Sequence, residues 1–291
     1  MRVDLGLFRK IGTTLEMIKW EHSIFVLPFA LTGAMLAAGG WPSASKVIWI
    51  VVCMVSARSA AMAFNRWADA GIDAANPRTA SRAIPAGLLS KGFVGGFTLV
   101  MAAIFIFAAS RLNHLTLLLS PLALAIVMGY SYTKRLTRWS HLFLGLAMGI
   151  APSAAWIAVR GTLDPRILLL TAAVLFWGAG FDVLYACQDF EHDRKVGLNS
   201  IPAAIGIPAA FWVSNGMHAA ALFFLVLLAK AFALRAAAWL GIAVVAGLLL
   251  YEHLIVSPRD LRRLNAAFFT MNGVIAILFF VFVATDLLWR R

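Results

Sequence analysis

FNRWADAGIDAANPRTASR, residues 64–82, follows an apolar run, Met54–Phe64, that is interrupted by a single charge, Arg58. A membrane helix usually leaves the bilayer through a few basic anchors. This one leaves through Asn65, Asp69 and Asp73, turns at Asn76-Pro77, and enters a basic loop carrying Arg78 and Arg82. Asn65, Asp69 and Asp73 are spaced i, i+4, i+8, so on a helix they form one stripe. Arg58 falls on the same stripe, two turns back and about 10 Å deeper. An apolar helix that ends in an acidic stripe beside a basic loop sets both the fold class and the question of function.

The 291 residues are 62% hydrophobic and only 13% charged, against about 25% charged in an ordinary soluble chain. Apolar stretches able to cross a bilayer recur throughout. They fall at about 22–40, 45–68, 91–110, 114–132, 140–160, 166–188, 209–229, 234–254 and 266–288. The expected fold is all-α, a polytopic membrane protein of about nine transmembrane helices, since lipid leaves the backbone no hydrogen-bond partner outside a helix. Residues 1–21 lack the apolar core of a signal peptide and read as an interfacial lead-in. Cys53 and Cys187 lie in apolar segments and read as packing residues.

The net charge of +12 suits basic loops facing anionic lipid and a phosphorylated substrate, without nucleic acid. Sixteen of the 25 Lys and Arg fall at the N-terminus and in the loops after the even-numbered spans; eight fall on the other side. The positive-inside rule then places the first group in the cytoplasm.

A second acidic stripe closes the sixth span: Asp182, Tyr185, Asp189 and Asp193, followed by Arg194 and Lys195. Each Asp-x-x-x-Asp precedes a basic stretch and an Ile-Pro-Ala, Ile84–Ala86 and Ile201–Ala203. This faint repeat divides one domain, 1–291, into halves of about 1–138 and 139–291. Two facing aspartate pairs repel unless cations neutralise them. Carboxylate-rich sites suit Mg²⁺, which bridges carboxylates to substrate phosphates, and Arg66, Arg78, Arg82, Arg194 and Lys195 can take the remaining phosphate oxygens. Helix-end aspartates beside arginines are also common surface ion pairs, but two matched motifs on the same side favour a metal–diphosphate site. Asp182 and Arg58 lie deeper, where charge is costly and marks function; a structural Arg58–Asp182 pair is the alternative. Tyr130-Ser-Tyr-Thr-Lys134 closes the fourth span, either as an interfacial anchor or as a phosphate ligand through Lys134. His114, His141, His218 and His253 show no ligand spacing and read as structural. Glu21 and His22 open the first span, and Glu252 is ambiguous.

These motifs resemble the UbiA-type superfamily of intramembrane aromatic prenyltransferases, in its 4-hydroxybenzoate polyprenyltransferase branch. The family's N-D-x-x-D-x-x-x-D stands here as Asn65-Arg66-Trp67-Ala68-Asp69-Ala70-Gly71-Ile72-Asp73. Its R-T-x-x-R-x-x-P is Arg78 to Pro85, its D-x-x-x-D is Asp189 to Asp193, and its Y-x-x-x-K is Tyr130 to Lys134. The resemblance implies nine helices around a central cavity and transfer of a polyprenyl group from its diphosphate to the ring of a small aromatic acid in quinone biosynthesis. It implies Mg²⁺ held by Asn65, Asp69, Asp73, Asp189 and Asp193, in a bacterial cytoplasmic membrane with the site mouth on the cytoplasmic side. Substrate would be bound by Arg58, Asn65, Arg66, Arg78, Arg82, Tyr130, Lys134, Tyr185, Arg194 and Lys195, and Asp182 would orient the phenol or take its proton. Arg66 replaces the family's second-position Asp, a form similar to a branch some of whose members act on a naphthoate in the futalosine route to menaquinone. A transporter using intramembrane Asp and Arg is the reading from another class; its site would lie nearer the midplane.

Overall fold

The computed structural model describes residues 6–19, 25–258, 260–261, 264 and 271–289. Glu21, His22 and the basic residues Arg2, Arg259, Arg262, Arg263, Arg290 and Arg291 lie outside the described residues. Among those described the chain is helical without a strand, apart from an isolated bridge between Ser257 and Asp260.

Among the described residues, seven helices are long and apolar enough to cross a membrane: α3 (Ala44–Ala68), α5 (Lys91–Ser110), α6 (His114–Thr133), α7 (Ser140–Arg160), α8 (Leu168–Ala186 with its continuation), α11 (Ile207–Ala231) and α12 (Ala236–Ile255). Their ends agree with the hydropathy reading to within about two residues. Two shorter apolar helices, α2 (Leu27–Ala38) and α13 (Asn272–Leu288), stand where the first and ninth spans are expected. Gly39, at φ 66°, ends α2 in a left-handed cap. The amphipathic α1 (Leu7–Ile18) packs Met17 and Ile18 against Ala63, Leu89 and Val94, and leaves Phe8, Ile11 and Leu15 exposed.

The core is a ring of packed pairs: α2 on α7, α7 on α8, α8 on α11, α12 on α13, with α3, α5 and α6 alongside. Lipid tails are as apolar as leucine, so such helices associate chiefly through close packing. Gly145 shows how close. A Cβ there would meet the Leu175 carbonyl oxygen at 2.2 Å, and one at Gly149 would meet the Thr171 oxygen at 2.7 Å. The pair, four residues apart on α7, lets α8 lie backbone to backbone against it. Phe29, Trp177, Leu225, Leu249 and Phe279 line an apolar cavity where α2, α8, α11, α12 and α13 converge.

Polar residues lie mainly at the two ends of the bundle. At one end they tie helix termini together: Lys46 donates to the Val159 carbonyl at 2.5 Å, Asn113 to Ile157 at 2.8 Å and Arg160 to Ala37 at 2.5 Å. There too the Asp286 carboxylate accepts from the backbone N–H of Arg235 at 2.9 Å, capping α12 from α13. The opposite end carries both acidic stripes.

Candidate active site

Both motif-bearing helices break at their first aspartate. α3 ends at Ala68, Asp69 adopts φ −90°, ψ 2°, and the six-residue α4 (Ala70–Ala75) follows. Even so, Asp69 N–H donates to Asn65 O at 2.9 Å and Asp73 N–H to Asp69 O at 2.8 Å, so the i, i+4 stripe survives the kink. α8 gives way to a 3₁₀ turn, Cys187–Asp189, and then to α9 (Phe190–Val196), which Gly197 ends at φ 72°. A 3₁₀ turn within a helix often marks a functional hinge. The chain then runs through Ser200 into α10 (Ile201–Ile205).

Each acid meets basic or polar partners that fold back over it. Asp69 is 1% exposed; it accepts from Lys134 Nζ at 2.6 Å, Arg135 at 3.1 Å and Asn65 Nδ2 at 3.1 Å. Asp73 is 3% exposed and accepts from Arg82 at 2.6 Å, while its Oδ2 is buried without a hydrogen bond. Asp189 belongs to the second motif, yet its partners come from the first motif's loop. Arg78 grips it with a forked contact and Asn76 donates to it at 3.0 Å. Asn76 also accepts the Arg78 backbone N–H at 2.9 Å, which fixes the turn that aims the arginine. Tyr185 lies under the Arg78 guanidinium, 5.5 Å from ring centroid to Cζ. Burial disfavours the charged form of Arg78, but the Asp189 carboxylate and the Tyr185 hydroxyl outweigh it and raise the pKa of Arg78. Asp193 is hydrogen bonded to Ser200 and lies within electrostatic reach of Asp189 and Lys134. The motif and its two basic loops therefore form one connected cluster.

Deeper in, Arg66 faces Asp69, Asp73, Arg82 and Tyr130, and Tyr130 in turn lies within electrostatic reach of Arg58 and Asp182. Arg58 makes no hydrogen bond or ion pair with the described residues, and its Nε is buried. Asp182 is not its partner: the Asp182 carboxylate lies 2.7 Å from His141 Nδ1. The structural Arg58–Asp182 pair allowed by the sequence is therefore absent among the described residues, and Arg58 is a half-buried cation within an apolar span, with its Nε buried. Arg194 and Lys195 are exposed; Arg194 lies over the Phe190 ring at 5.5 Å, and neither joins the cluster.

Sequence reading missed Asn76, Arg135 and His141 as members of the site. Asn76 read only as a turn former, and Arg135 counted only among the basic residues of the loops. His141 lies seven residues beyond Lys134, across the loop that joins α6 to α7, and that nearness in sequence is the signal that was available.

The donor set suits a hard cation. The oxygens are carboxylates with Asn65 beside them, and the orphaned Asp73 Oδ2 is a buried acceptor in need of a positive partner. Among the described residues no three acids or other ligands converge closely enough to cage a metal alone. That fits Mg²⁺, which is commonly held by one or two carboxylates and completed by substrate phosphates and water.

Comparison with known proteins identifies the family. The family model described as the UbiA prenyltransferase family matches residues 26–282. A 4-hydroxybenzoate octaprenyltransferase of Vibrio cholerae is 30% identical over 256 residues, 87% of this chain and 88% of that protein. The apo structure of a UbiA homologue from Aeropyrum pernix K1 superposes with a TM-score of 0.84 at 35% identity, over 92% of this chain and 98% of that one. A UbiA homologue from Archaeoglobus fulgidus bound to GPP and Mg²⁺ shares the fold, with a TM-score of 0.69 at 18% identity, over 94% and 99%. With the family's sequence pattern running through nearly the whole helical bundle, the chain belongs to the UbiA prenyltransferase family.

Proposed function

We propose that this chain transfers a polyprenyl group from a polyprenyl diphosphate to a ring carbon of 4-hydroxybenzoate, in ubiquinone biosynthesis. The observation that carries this reading is the Asn76–Arg78–Asp189 junction, which joins the basic loop after the first acidic motif to the second acidic motif. The V. cholerae relative's name supports the choice of acceptor. The same reading takes α2 and α13 as spans, giving nine across one domain of two related halves. It puts the site mouth at the cytoplasmic face of the inner membrane.

The residues divide by chemistry. Arg66, Arg78, Arg82 and Lys134 hold diphosphate oxygens, the arginines with forked pairs where geometry allows. Asn65, Asp69, Asp73, Asp189 and Asp193 would hold Mg²⁺. Bound there, Mg²⁺ would neutralise the diphosphate as it accumulates the charge of a leaving group. Asp69 and Asp73 carry more of that load here, because Arg66 stands where most family members have an acid. As the allylic C–O bond breaks, its electron pair leaves with diphosphate and the prenyl carbon becomes cationic. The apolar walls of the helical bundle keep water from that carbon. Arg58, half-buried and without an ion-pair partner among the described residues, holds the acceptor carboxylate. Tyr130, between Arg58 and Asp182, borders the acceptor ring. The ring carbon attacks, a C–C bond forms, and the ring proton passes to Asp182 as aromaticity returns.

The test is mass spectrometry of products from the purified protein, offered 4-hydroxybenzoate, a dihydroxynaphthoate and several prenyl diphosphates with Mg²⁺. Prenylated 4-hydroxybenzoate is the expected product. Prenylation of the naphthoate alone would move the chain to a menaquinone route, and no product with any acceptor would refute the reading.

A further inference from the structure

His141 is 3% exposed at the start of α7, and both of its ring nitrogens are engaged. Nδ1 lies 2.7 Å from Asp182 Oδ2 on α8, and Nε2 lies 3.2 Å from the backbone nitrogen of Ile201 at the start of α10. A backbone N–H can only donate, so Nε2 must be an acceptor. The proton of the neutral ring is then on Nδ1, which donates to Asp182. This fixes the role of Asp182: Oδ2 is tied to the imidazole, and Oδ1 accepts no hydrogen bond from the described residues while the side chain remains 25% exposed. The same imidazole reaches the diphosphate end. Ile201 follows Ser200, which is bonded to Asp193, and the Asn199 N–H donates to the Lys134 carbonyl at 2.9 Å.

We infer that His141 is a positioning residue: it presents Asp182 to the aromatic acceptor with one oxygen held and one free, and it joins that carboxylate to the segment carrying Asp193. The inference rests on the reading of Asp182 as acceptor of the ring proton. Breaking the ring C–H bond returns its electron pair to the ring and delivers the proton to the free Asp182 oxygen. A carboxylate with one oxygen pinned has fewer orientations in which to miss that proton. The imidazole is locked in the tautomer that donates to Asp182, so it orients the carboxylate and does not itself take up the proton.

Two substitutions separate the two bonds. His141→Asn places an amide nitrogen near the position of Nδ1, keeping a donor for Asp182 and giving up Ile201. His141→Gln reaches the position of Nε2, keeping an acceptor for Ile201 and giving up Asp182. Both are compared with Asp182→Asn and with the double variant Asp182→Asn/His141→Gln in prenyl transfer to 4-hydroxybenzoate, after the native protein has been shown to make that product. Failure of the native protein would refute the proposed function and not this inference. The expected result is a fall in kcat on the order of a hundredfold for Asp182→Asn and for His141→Gln. The double variant should be no worse than Asp182→Asn alone. The KM for prenyl diphosphate should stay within about twofold in His141→Gln, which keeps the bond to Ile201; His141→Asn, which keeps the donor to Asp182 and gives up Ile201, should lose less kcat than His141→Gln and should raise that KM. The inference is overturned if His141→Gln leaves kcat unchanged, or if His141→Asn loses as much as His141→Gln. It is also overturned if the two single losses multiply in the double variant, because groups acting through one another do not lose independently.

Discussion

Gly145→Ala is the substitution that most directly connects helix packing to chemistry. The added methyl carbon would sit 2.2 Å from the Leu175 carbonyl oxygen and 3.1 Å from the Ala179 nitrogen. Both are backbone atoms of α8, so no side chain can rotate away. Ordinary contact begins near 3.4 Å, so the helices must part by about 1 Å. Overpacking of this kind costs about 1–3 kcal/mol, or on the order of 5 °C in the melting temperature of a chain this size. Gly145 lies one turn from His141, and Gly178, whose added Cβ would meet Gly145 at 3.3 Å, lies one turn from Asp182. Separation at this level therefore stretches the 2.7 Å His141–Asp182 contact beyond hydrogen-bond length. A misplacement of about 1 Å at a reacting group can cost roughly a hundredfold in rate. The assay pairs thermal unfolding in detergent with steady-state prenyl transfer below the new melting temperature. The expected result is a lower Tm together with a kcat deficit that remains at low temperature. A Gly145→Ala protein with native Tm and native kcat would refute the close α7–α8 approach and the reasoning built on it.

Removing divalent metal with a chelator should abolish transfer, and Mg²⁺ should restore it; Asp69→Asn and Asp189→Asn should each lower kcat by about a hundredfold or more, so full turnover in either variant would count against a metal–diphosphate site. Arg82→Ala, which frees Asp73 from its 2.6 Å partner, should raise the KM for prenyl diphosphate at least about tenfold more than the KM for the acceptor, and an equal change in both would assign Arg82 a purely structural role. Arg58→Lys keeps the charge but loses the planar fork; the acceptor KM should rise about tenfold or more, while a phenol lacking the carboxylate, already a poor substrate, should lose little further activity.

The spans and the acidic stripes were legible because each depends on local spacing. Hydropathy marked Lys91–Ser110 and Ser140–Arg160 to the residue, since an apolar run that must satisfy its own backbone has little choice but a helix. The i, i+4 stripe of Asn65, Asp69 and Asp73 was readable although the helix kinks at Asp69, because the hydrogen-bond spacing carries across the break. Partners were not readable. Lys134 finds Asp69 across 65 residues and Arg78 finds Asp189 across 111, distances in sequence over which periodicity carries no information. His141 looked like a lone histidine for the same reason. Its role depends on Asp182, 41 residues away, and on an approach of two helices that glycines permit without announcing. The first span reads longer in the sequence than the α2 helix because hydropathy continues into Gly39 and Gly40, where the backbone turns left-handed at Gly39.

The two ends of the bundle are fastened by different chemistry. At the end far from the acids, Lys46, Asn113, Arg160 and Asp286 each hold a neighbouring helix by its terminus, so six helix ends are fastened together there. At the acidic end, by contrast, α3 and α8 are both interrupted at an aspartate. The acidic end is fastened too, but by ion pairs across the kinks: Arg78 to Asp189, Arg82 to Asp73, Lys134 to Asp69. One end of the bundle is thus held chiefly by side chains on backbone carbonyls, which no anion can displace, and the other by charge pairs whose basic partners an incoming phosphate can share.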